Sequence, residues 1–333
     1  KIPVTVPDVV RRGAGLSVAA NPMTLVPAPP AMTAKLKTVY TMLDHYVASG
    51  AFPGCVLAVG WHGQLAVHPF GQLSRTGDDA DVDDDTMYDM ASLTKVIVTT
   101  TSVMLLVQQQ RLDINLPVGH YLPEFDAAAK SDPDPTWRAH VTVRNLLLHD
   151  SGLPGIRQFF KDTKGHEAII ARAASEPLVH KPGTQVEYSD LGFILLGAIV
   201  ERLTGQPEDV FANQEIFGPL GMDRTMYRPP SSMRKDIAPT EVDTTFRHRL
   251  MWGEVHDENA WAMGGVAGHA GLFSTAPDVA IFAQMLLNGG IYAHQRLLDR
   301  SIIGEFTKRV DIETSARTLG WDVPEQQIGR AHV

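Results

Sequence analysis

Apolar positions change their period several times along the chain, and the changes mark out its elements. From Ala34 to Ser49 the residues Leu36, Val39, Tyr40, Leu43 and Val47 recur at helical spacing, and Gly50 and Pro53 then end the helix. Two short apolar runs follow, Cys55 to Val59 and Leu65 to Val67, joined by Trp61-His62-Gly63-Gln64, a pattern that predicts a β-hairpin. The segment from Ser92 to about Gln110 is long, apolar and threonine-rich, which predicts a helix buried on most sides. Helical patterns continue over Thr142–Leu148, His166–Ala174, Leu191–Leu203 and Glu208–Phe217, each punctuated by Gly or Pro. A last helix is expected after Ser274-Thr275-Ala276-Pro277-Asp278, with Thr275 as its cap and Asp278 completing a capping box, running on through Phe282, Met285 and Leu286. The order is helix, hairpin, helical block, then loop and helix, with no internal repeat.

The flanks lack periodicity. Residues 1 to about 35 are rich in Pro, Ala and Val and end in Val26-Pro27-Ala28-Pro29-Pro30, the composition of a linker or leader, so folding is expected to begin near Met32. Asp78 to Asp85 reads as a solvated acidic loop. With 333 residues, 44% hydrophobic and 20% charged, the chain can bury a large core, which excludes a disordered or fibrous class. A net charge of −9 offers no basic surface for phosphates, so a small-molecule or peptide substrate is expected and no nucleic acid. The single cysteine, Cys55, excludes an internal disulfide and a cysteine-based metal cluster, and its apolar neighbours mark it as a packing residue. No run reaches the roughly 18 apolar residues needed to span a bilayer, and no signal peptide is visible after Lys1.

Candidate chemistry begins with Ser-x-x-Lys, which occurs at Ser92-Leu93-Thr94-Lys95 and again at Ser232-Met233-Arg234-Lys235. The second copy follows Pro229-Pro230-Ser231 in a polar stretch. The first opens an apolar helix, where free N–H groups and the helix dipole favour developing negative charge on the serine oxygen. Lys95 lies one turn later on the same face, and an amine in such an apolar setting is costly unless it is partnered or set to take a proton. The same four residues also suit an ordinary helix cap with a lysine reaching to water. Tyr188-Ser189-Asp190, at the entrance to Leu191-Gly192-Phe193-Ile194-Leu195-Leu196, offers a phenol that either packs or shuttles a proton. His149-Asp150-Ser151 contains the residue types of a catalytic triad, but sequence neighbours point in different directions. His256-Asp257 with His269 fits no standard ligand spacing, so no metal is expected. Gly-x-Ser-x-Gly occurs nowhere, which argues against an α/β-hydrolase.

Taken in order, Ser92-Leu93-Thr94-Lys95, Leu146-Leu147-Leu148-His149-Asp150-Ser151-Gly152-Leu153-Pro154, Tyr188-Ser189-Asp190-Leu191-Gly192 and Gly271-Leu272-Phe273-Ser274-Thr275 resemble the serine β-lactamase and penicillin-binding-protein family in its class C branch. That branch includes D-Ala-D-Ala carboxypeptidases, D-aminopeptidases and β-lactamase-like esterases, and the resemblance spans residues 36 to 322. It implies an α+β fold of the β-lactamase/transpeptidase type, an antiparallel sheet flanked by helices plus an all-helical lobe over about residues 100–250, as one catalytic domain over 36–327. It further implies Ser92 as the acylated nucleophile with its N–H in an oxyanion hole, Lys95 as proton acceptor and Tyr188 as base or shuttle. Asp190 would hold Lys95, standing where an asparagine is common, and so lacks the amide donor that would touch a substrate carbonyl. His269 and Gly271 fall in a loop beside the pocket. The resemblance implies no cofactor and a periplasmic or secreted location, and leaves the oligomeric state open. The expected reaction is acyl-serine hydrolysis of D-Ala-terminated peptides, β-lactams or small esters, the alternative being a non-enzymatic sensor acylated at Ser92 without turnover.

The family's third element, a Lys/His-Thr/Ser-Gly strand, has no counterpart here. His269-Ala270-Gly271 comes too soon after Tyr188, and the strand would be expected a few tens of residues beyond Leu319-Gly320-Trp321-Asp322. The tail Gln327-Ile328-Gly329-Arg330-Ala331-His332-Val333 resembles the translation of a sequencing adapter, so residues 328–333 read as non-native and the domain as lacking its C-terminal strands and closing helix. On that reading the hairpin carries an unpaired apolar edge, and these 333 residues are expected to be poorly stable and weakly active or inactive.

Overall fold

A computed structural model describes residues 24–75, 80–310 and 317–322. Strand β1 (Val26–Pro27) and helix α1 (Pro30–Lys35) lead through Leu36 into α2 (Lys37–Ser49). β2 (Gly54–Trp61) and β3 (Gln64–Gly71) pair antiparallel from Gly54↔Gly71 to Trp61↔Gln64. His62 and Gly63 turn the hairpin with φ of 49° and 76°, the left-handed pair that matches the twist of its strands. β1 runs parallel to the other edge of β3. Val26 N–H donates to Gly63 O and Ala28 N–H to Leu65 O, while Pro27, which has no N–H, falls between them. The stretch expected as linker to residue 35 thus already carries a strand and a helix from Val26 onward.

β4 (Met87–Asp89) belongs to a second sheet with β5 (Met226–Tyr227). β6 (Glu241–Asp243) and β7 (Arg249–Met251) form a separate ribbon. β8 (Leu272–Thr275) is the centre of the second sheet, antiparallel to both β4 and β5. A further ribbon joins residues 291–292 to 295–296. Among the described residues the expected antiparallel sheet is therefore two three-stranded sheets. An apolar cavity of about 610 Å³ separates them, lined by Val56 and Ala58 of β2, Tyr88 of β4 and Val279.

The helical lobe holds most of the core. Residues 91–108, expected as one helix, are three pieces: a tight 3₁₀ turn Ala91–Leu93, a wide π-helical stretch Lys95–Thr100, and α3 (Thr101–Gln108). Crowding in the β-branched run Val96 to Thr101 disfavours regular α-helix, and the Thr101 hydroxyl donates five residues back to Val96 O, completing a wide turn. This run is in fact 18 residues long and apolar enough to cross a membrane, but 67% of it is buried inside the protein, as a core helix should be.

α4 (Val118–Tyr121), α5 (Pro123–Ala127), α6 (Val143–Leu148), α7 (His166–Ser175) and α8 (Asp190–Thr204) follow. The short helices α9 (Glu208–Ala212), α10 (Gly218–Leu220) and α11 (Glu258–Ala262) precede α12 (Ala276–Leu287) and α13 (Arg300–Thr307). α8 is the axis of the lobe, buried without a break from Leu191 to Val200 and packed on α6, α7, α3 and the 95–100 stretch. Thr142 and Asn145 form a reciprocal capping box at the start of α6. At α12 only half of the expected box forms. Thr275 accepts from Asp278 N–H, but the Asp278 carboxylate accepts instead from Arg224 N–H at 2.9 Å and the Thr225 hydroxyl at 2.8 Å, tying α12 to the approach to β5.

Candidate active site

Ser92 lies inside the 3₁₀ turn rather than at the mouth of an α-helix, and it is exposed. The turn is set by Asp89 at the end of β4, whose carboxylate accepts from Ala91 N–H at 2.8 Å and His256 N–H at 2.7 Å. Burial raises the Asp89 pKa, against the lowering effect of those two N–H donors. Ala91 takes φ 45°, a left-handed conformation costing an alanine roughly 1 kcal/mol. Thr94 ties the turn to β8, donating to Ala91 O at 2.7 Å and accepting from Leu272 N–H at 3.2 Å.

Lys95, 3% exposed, begins the π-helical stretch, and its Nζ donates in three directions. Ser92 Oγ lies at 3.1 Å, His269 O at 3.1 Å and Asp190 Oδ1 at 2.7 Å. Three donors meeting three acceptors is the complement of an ammonium, and the Asp190 partner offsets the cost of burying it. The Tyr188 ring covers the same amine at 4.7 Å from its centroid and the Phe193 ring at 5.8 Å. Ser189 fixes this corner as the cap of α8, accepting from Gly192 N–H at 3.2 Å and donating to Pro154 O at 2.7 Å.

The structure thus brings Ser92, Lys95, Tyr188 and Asp190 together, with His269 joining through its backbone. The His269 ring is 1% exposed and lines no open surface; its Nε2 meets Asp257 Oδ1 at 2.8 Å. Burial would raise the Asp257 carboxyl, but the His269 ring, Ala260 N–H and the Lys95 charge together hold it well below the usual carboxylate range. Gly271, at φ 123°, turns the chain into β8, where a Cβ would lie 2.7 Å from Gly265 O. Its place is buried and it serves as backbone. Close approach also seats the loop before His269: a Cβ on Gly268 would come within 2.2 Å of Phe193 O, and one on Gly197 of α8 within 3.2 Å of Gly268 Cα.

Ser232 and Lys235 sit together on an exposed 3₁₀ segment, Ser231–Asp236, with no part in this cluster. His256 Nε2 meets Glu241 Oε1 at 2.7 Å, while His269 faces Asp257, so the two histidines turn to different carboxylates. His149 caps α6 in a left-handed turn, and its ring lies 4.6 Å from that of Tyr188 and 5.1 Å from that of Phe193. Burial, then the nearby Arg317 and Lys95 charges, hold its pKa well below the ordinary histidine value, so Nδ1 stays free to accept Ser189 N–H at 2.9 Å. In the sequence His149 stands only among triad-type neighbours that point apart, and in the structure it makes a turn. The structure makes that turn the shelf under Tyr188.

The sequence does not single out Asp89 or Arg317. It groups Asp257 with His256 and His269 only as a rejected metal site, and the structure instead pairs Asp257, the cap of α11, with the His269 ring. Arg317 stacks its guanidinium 5.2 Å from the Tyr188 ring centroid, with Asp322 Oδ2 at 3.9 Å.

The family profile described as Beta-lactamase matches residues 40–330. The chain belongs to the Beta-lactamase family. Among its relatives in that family, an N-acetylmuramyl-L-alanine amidase of Bacillus subtilis (strain 168) is 34% identical, the match covering 87% of this chain and 71% of the relative. A putative D-alanyl-D-alanine carboxypeptidase of Salmonella agona (strain SL483) is 33% identical over 72% of this chain and 59% of its own length, so the chain spans well under two thirds of that relative. The octameric penicillin-binding protein homologue from Pyrococcus abyssi shares the fold with a TM-score of 0.66, at 21% identity over 86% of this chain and 64% of that one. A class C β-lactamase aligns with a TM-score of 0.64 at 18% identity over 82% of this chain and 69% of that chain. The β-lactamase/transpeptidase fold expected from the ordered motifs is therefore the observed one, and the family's members are hydrolases. The expected third element and the non-native tail at residues 328–333 lie outside the described residues.

Proposed function

We propose that the protein is an acyl-serine hydrolase in which Ser92 is acylated by the substrate carbonyl. The observation that carries this reading is the Lys95 ammonium held between Ser92 Oγ at 3.1 Å and Asp190 Oδ1 at 2.7 Å. A charged Lys95 cannot take the serine proton until it has given one up. Asp190 is placed to receive that proton, after which the neutral amine accepts the one from Ser92 as Oγ attacks, a net transfer from serine to aspartate through the lysine. The Ser92 N–H would meet the developing oxyanion, and Tyr188 would deliver a proton to the departing amine or alcohol; the proton held by Asp190 would return through Lys95 to the Tyr188 phenolate, and water would then take the acyl group and restore the Ser92 hydroxyl.

Arg317, beside the Tyr188 ring and paired with Asp322, would add positive charge near the scissile bond, which favours substrates with a carboxylate there. D-Ala-terminated peptides therefore come first, small esters second and β-lactams third, the last because Asp190 supplies no amide donor. The relatives' names are consistent with cell-wall peptides as substrate and with a periplasmic or secreted location. Incubation with a fluorescent penicillin, a D-Ala-D-Ala peptide and a chromogenic ester tests the reading. Labelling and release of D-alanine, both lost in Ser92→Ala, are the expected result. Stable labelling without turnover would favour a sensor, and labelling that survives in Ser92→Ala would overturn both.

A further inference from the structure

Behind the candidate site, one turn along the helix from Lys95, a hydroxyl is asked to do more than its chemistry allows. Thr99 Oγ lies 2.7 Å from Gly268 O and 2.7 Å from Glu208 Oε1, and all three residues are buried or enclosed there. A hydroxyl has one proton to donate. If it goes to the Gly268 carbonyl, which can only accept, then a Glu208 carboxylate would face the Thr99 oxygen with no proton between them. Both contacts are satisfied together only when Glu208 is itself protonated and donates to Thr99, which in turn donates to Gly268.

We propose that Glu208 is a positioning residue whose carboxyl proton, relayed through Thr99, holds the Gly268–His269 backbone in the place where His269 O receives the Lys95 ammonium. This deepens the acyl-serine reading and rests on it for its catalytic consequence. The surroundings favour the neutral acid. Glu208 is 1% exposed, and its other oxygen is against Gly197 of α8, where a Cβ would come within 3.0 Å. Burial raises its pKa to about 8, the Thr99 contact opposing, Glu201 adding to the rise, His166 opposing and Asp209 adding again.

The charged and titratable groups around it act in the same sense on balance. Glu201 of α8 accepts Glu208 N–H at 3.0 Å and is paired with His166 of α7 at 2.7 Å. Asp209, next in α9, is paired with Arg228. Tyr227 of β5 is fully enclosed, its phenol pushed well above its ordinary value first by burial and then by Glu208 and its acidic neighbours. Lys95 lies on the same helix as Thr99, but its charge is committed to Asp190.

A carboxyl with a raised folded pKa contributes stability that is complete below the unfolded value and lost as pH rises through the folded one. Ionisation of Glu208 should then leave two acceptors competing for one hydroxyl proton and release the Gly268–His269 backbone. At one pH unit above its midpoint about one molecule in ten keeps the proton, so acylation of Ser92 should fall about tenfold between pH 6 and pH 9.

The experiment compares the full chain with Glu208→Gln, whose amide donates to Thr99 at every pH, and with Thr99→Val, which cuts the relay. Fluorescent-penicillin labelling rates and melting temperatures are followed from pH 5 to pH 9.5. The Gln variant should match the parent at pH 6 and escape the parent's additional alkaline loss in both rate and melting temperature. Thr99→Val should be slow at pH 6 and show no Glu208-dependent limb. An infrared difference spectrum of parent minus Gln variant at pH 7 should contain the carbonyl band of a protonated acid. Superimposable pH profiles for parent and Gln variant, or no such band, would overturn the proposal. If no chain labels at any pH, the acyl-serine reading fails instead, while melting temperature and infrared band still report on the proton.

Discussion

The helical lobe and the N-terminal sheet with its helices are held with different firmness. α8 buries ten consecutive residues, whereas neither α1 nor α2 buries one, and no residue of β2 is fully covered. The lobe also encloses a complete ion pair, Arg138 with Asp132 at 2.7 Å, both side chains at 0% exposure, with Arg138 donating further to Phe125 O and Ala174 O. Apart from Ser92, the candidate cluster is rooted in the firm half: Lys95 in the core helix, Asp190 and Phe193 in α8, and the His269 backbone against α8 through Gly268. Only the turn bearing Ser92, anchored on β4 and β8, approaches the open cavity beside β2. The difference teaches that site geometry here depends on helix packing more than on the completeness of the first sheet.

The strongest challenge to that comparison is functional. Ser92→Ala should lower labelling by at least about a thousandfold while leaving the melting temperature within a degree or two, since the side chain is exposed. A residual covalent adduct on that variant, seen by mass spectrometry, would place the chemistry elsewhere. Next in size, Arg138→Leu should cost about 3–5 kcal/mol in denaturant unfolding because Asp132 would be left buried and unpaired. Leu195→Ala in α8 should cost about 3 kcal/mol, and Val56→Ala on β2 about 1 kcal/mol or less. Equal losses at Leu195 and Val56 would erase the contrast between the two regions. Hydrogen exchange sharpens it further: amides of α8 should exchange only with global unfolding, and those on the side of β2 that pairs with no strand among the described residues orders of magnitude sooner.

Much of this division was legible in the sequence, for reasons that differ by element. The helical spacing of α2 and α8, the two short apolar runs of the hairpin and the Gly50 and Gly205 stops are local signals, and local signals survive folding. The π-helical stretch was not legible, because six residues are too few to separate a wide turn from an ordinary one. The capping box at Thr275 was half right, since Asp278 found better partners in Arg224 and Thr225, more than fifty residues away in sequence. Ser92, Lys95, Tyr188 and Asp190 carried recognisable side chains in recognisable order. His269 contributes a carbonyl, which every residue has, and Asp89 contributes a turn that only its backbone partners reveal.

Two smaller effects test the edges of the cluster. Arg317→Ala should raise KM about tenfold for a D-Ala-terminated peptide and leave a neutral ester unchanged, and an equal rise for both would assign Arg317 to holding Tyr188 rather than substrate. Asp257, held below the usual carboxylate range, contributes stability present above about pH 4 and lost as pH falls through its folded value. Asp257→Asn should therefore flatten the acid limb of a melting-temperature profile without altering it near neutrality in slope.

Gly197 and Gly268 give the cluster a property best seen from the standpoint of variation. Across most of the lobe a mutation acts by removing atoms and leaving a hole. At this crossing it acts by adding one carbon where two backbones already touch. The distance between an ammonium and the carbonyl that receives it is thus written in missing matter, and alanine, elsewhere the mildest of replacements, becomes at position 268 a collision with backbone.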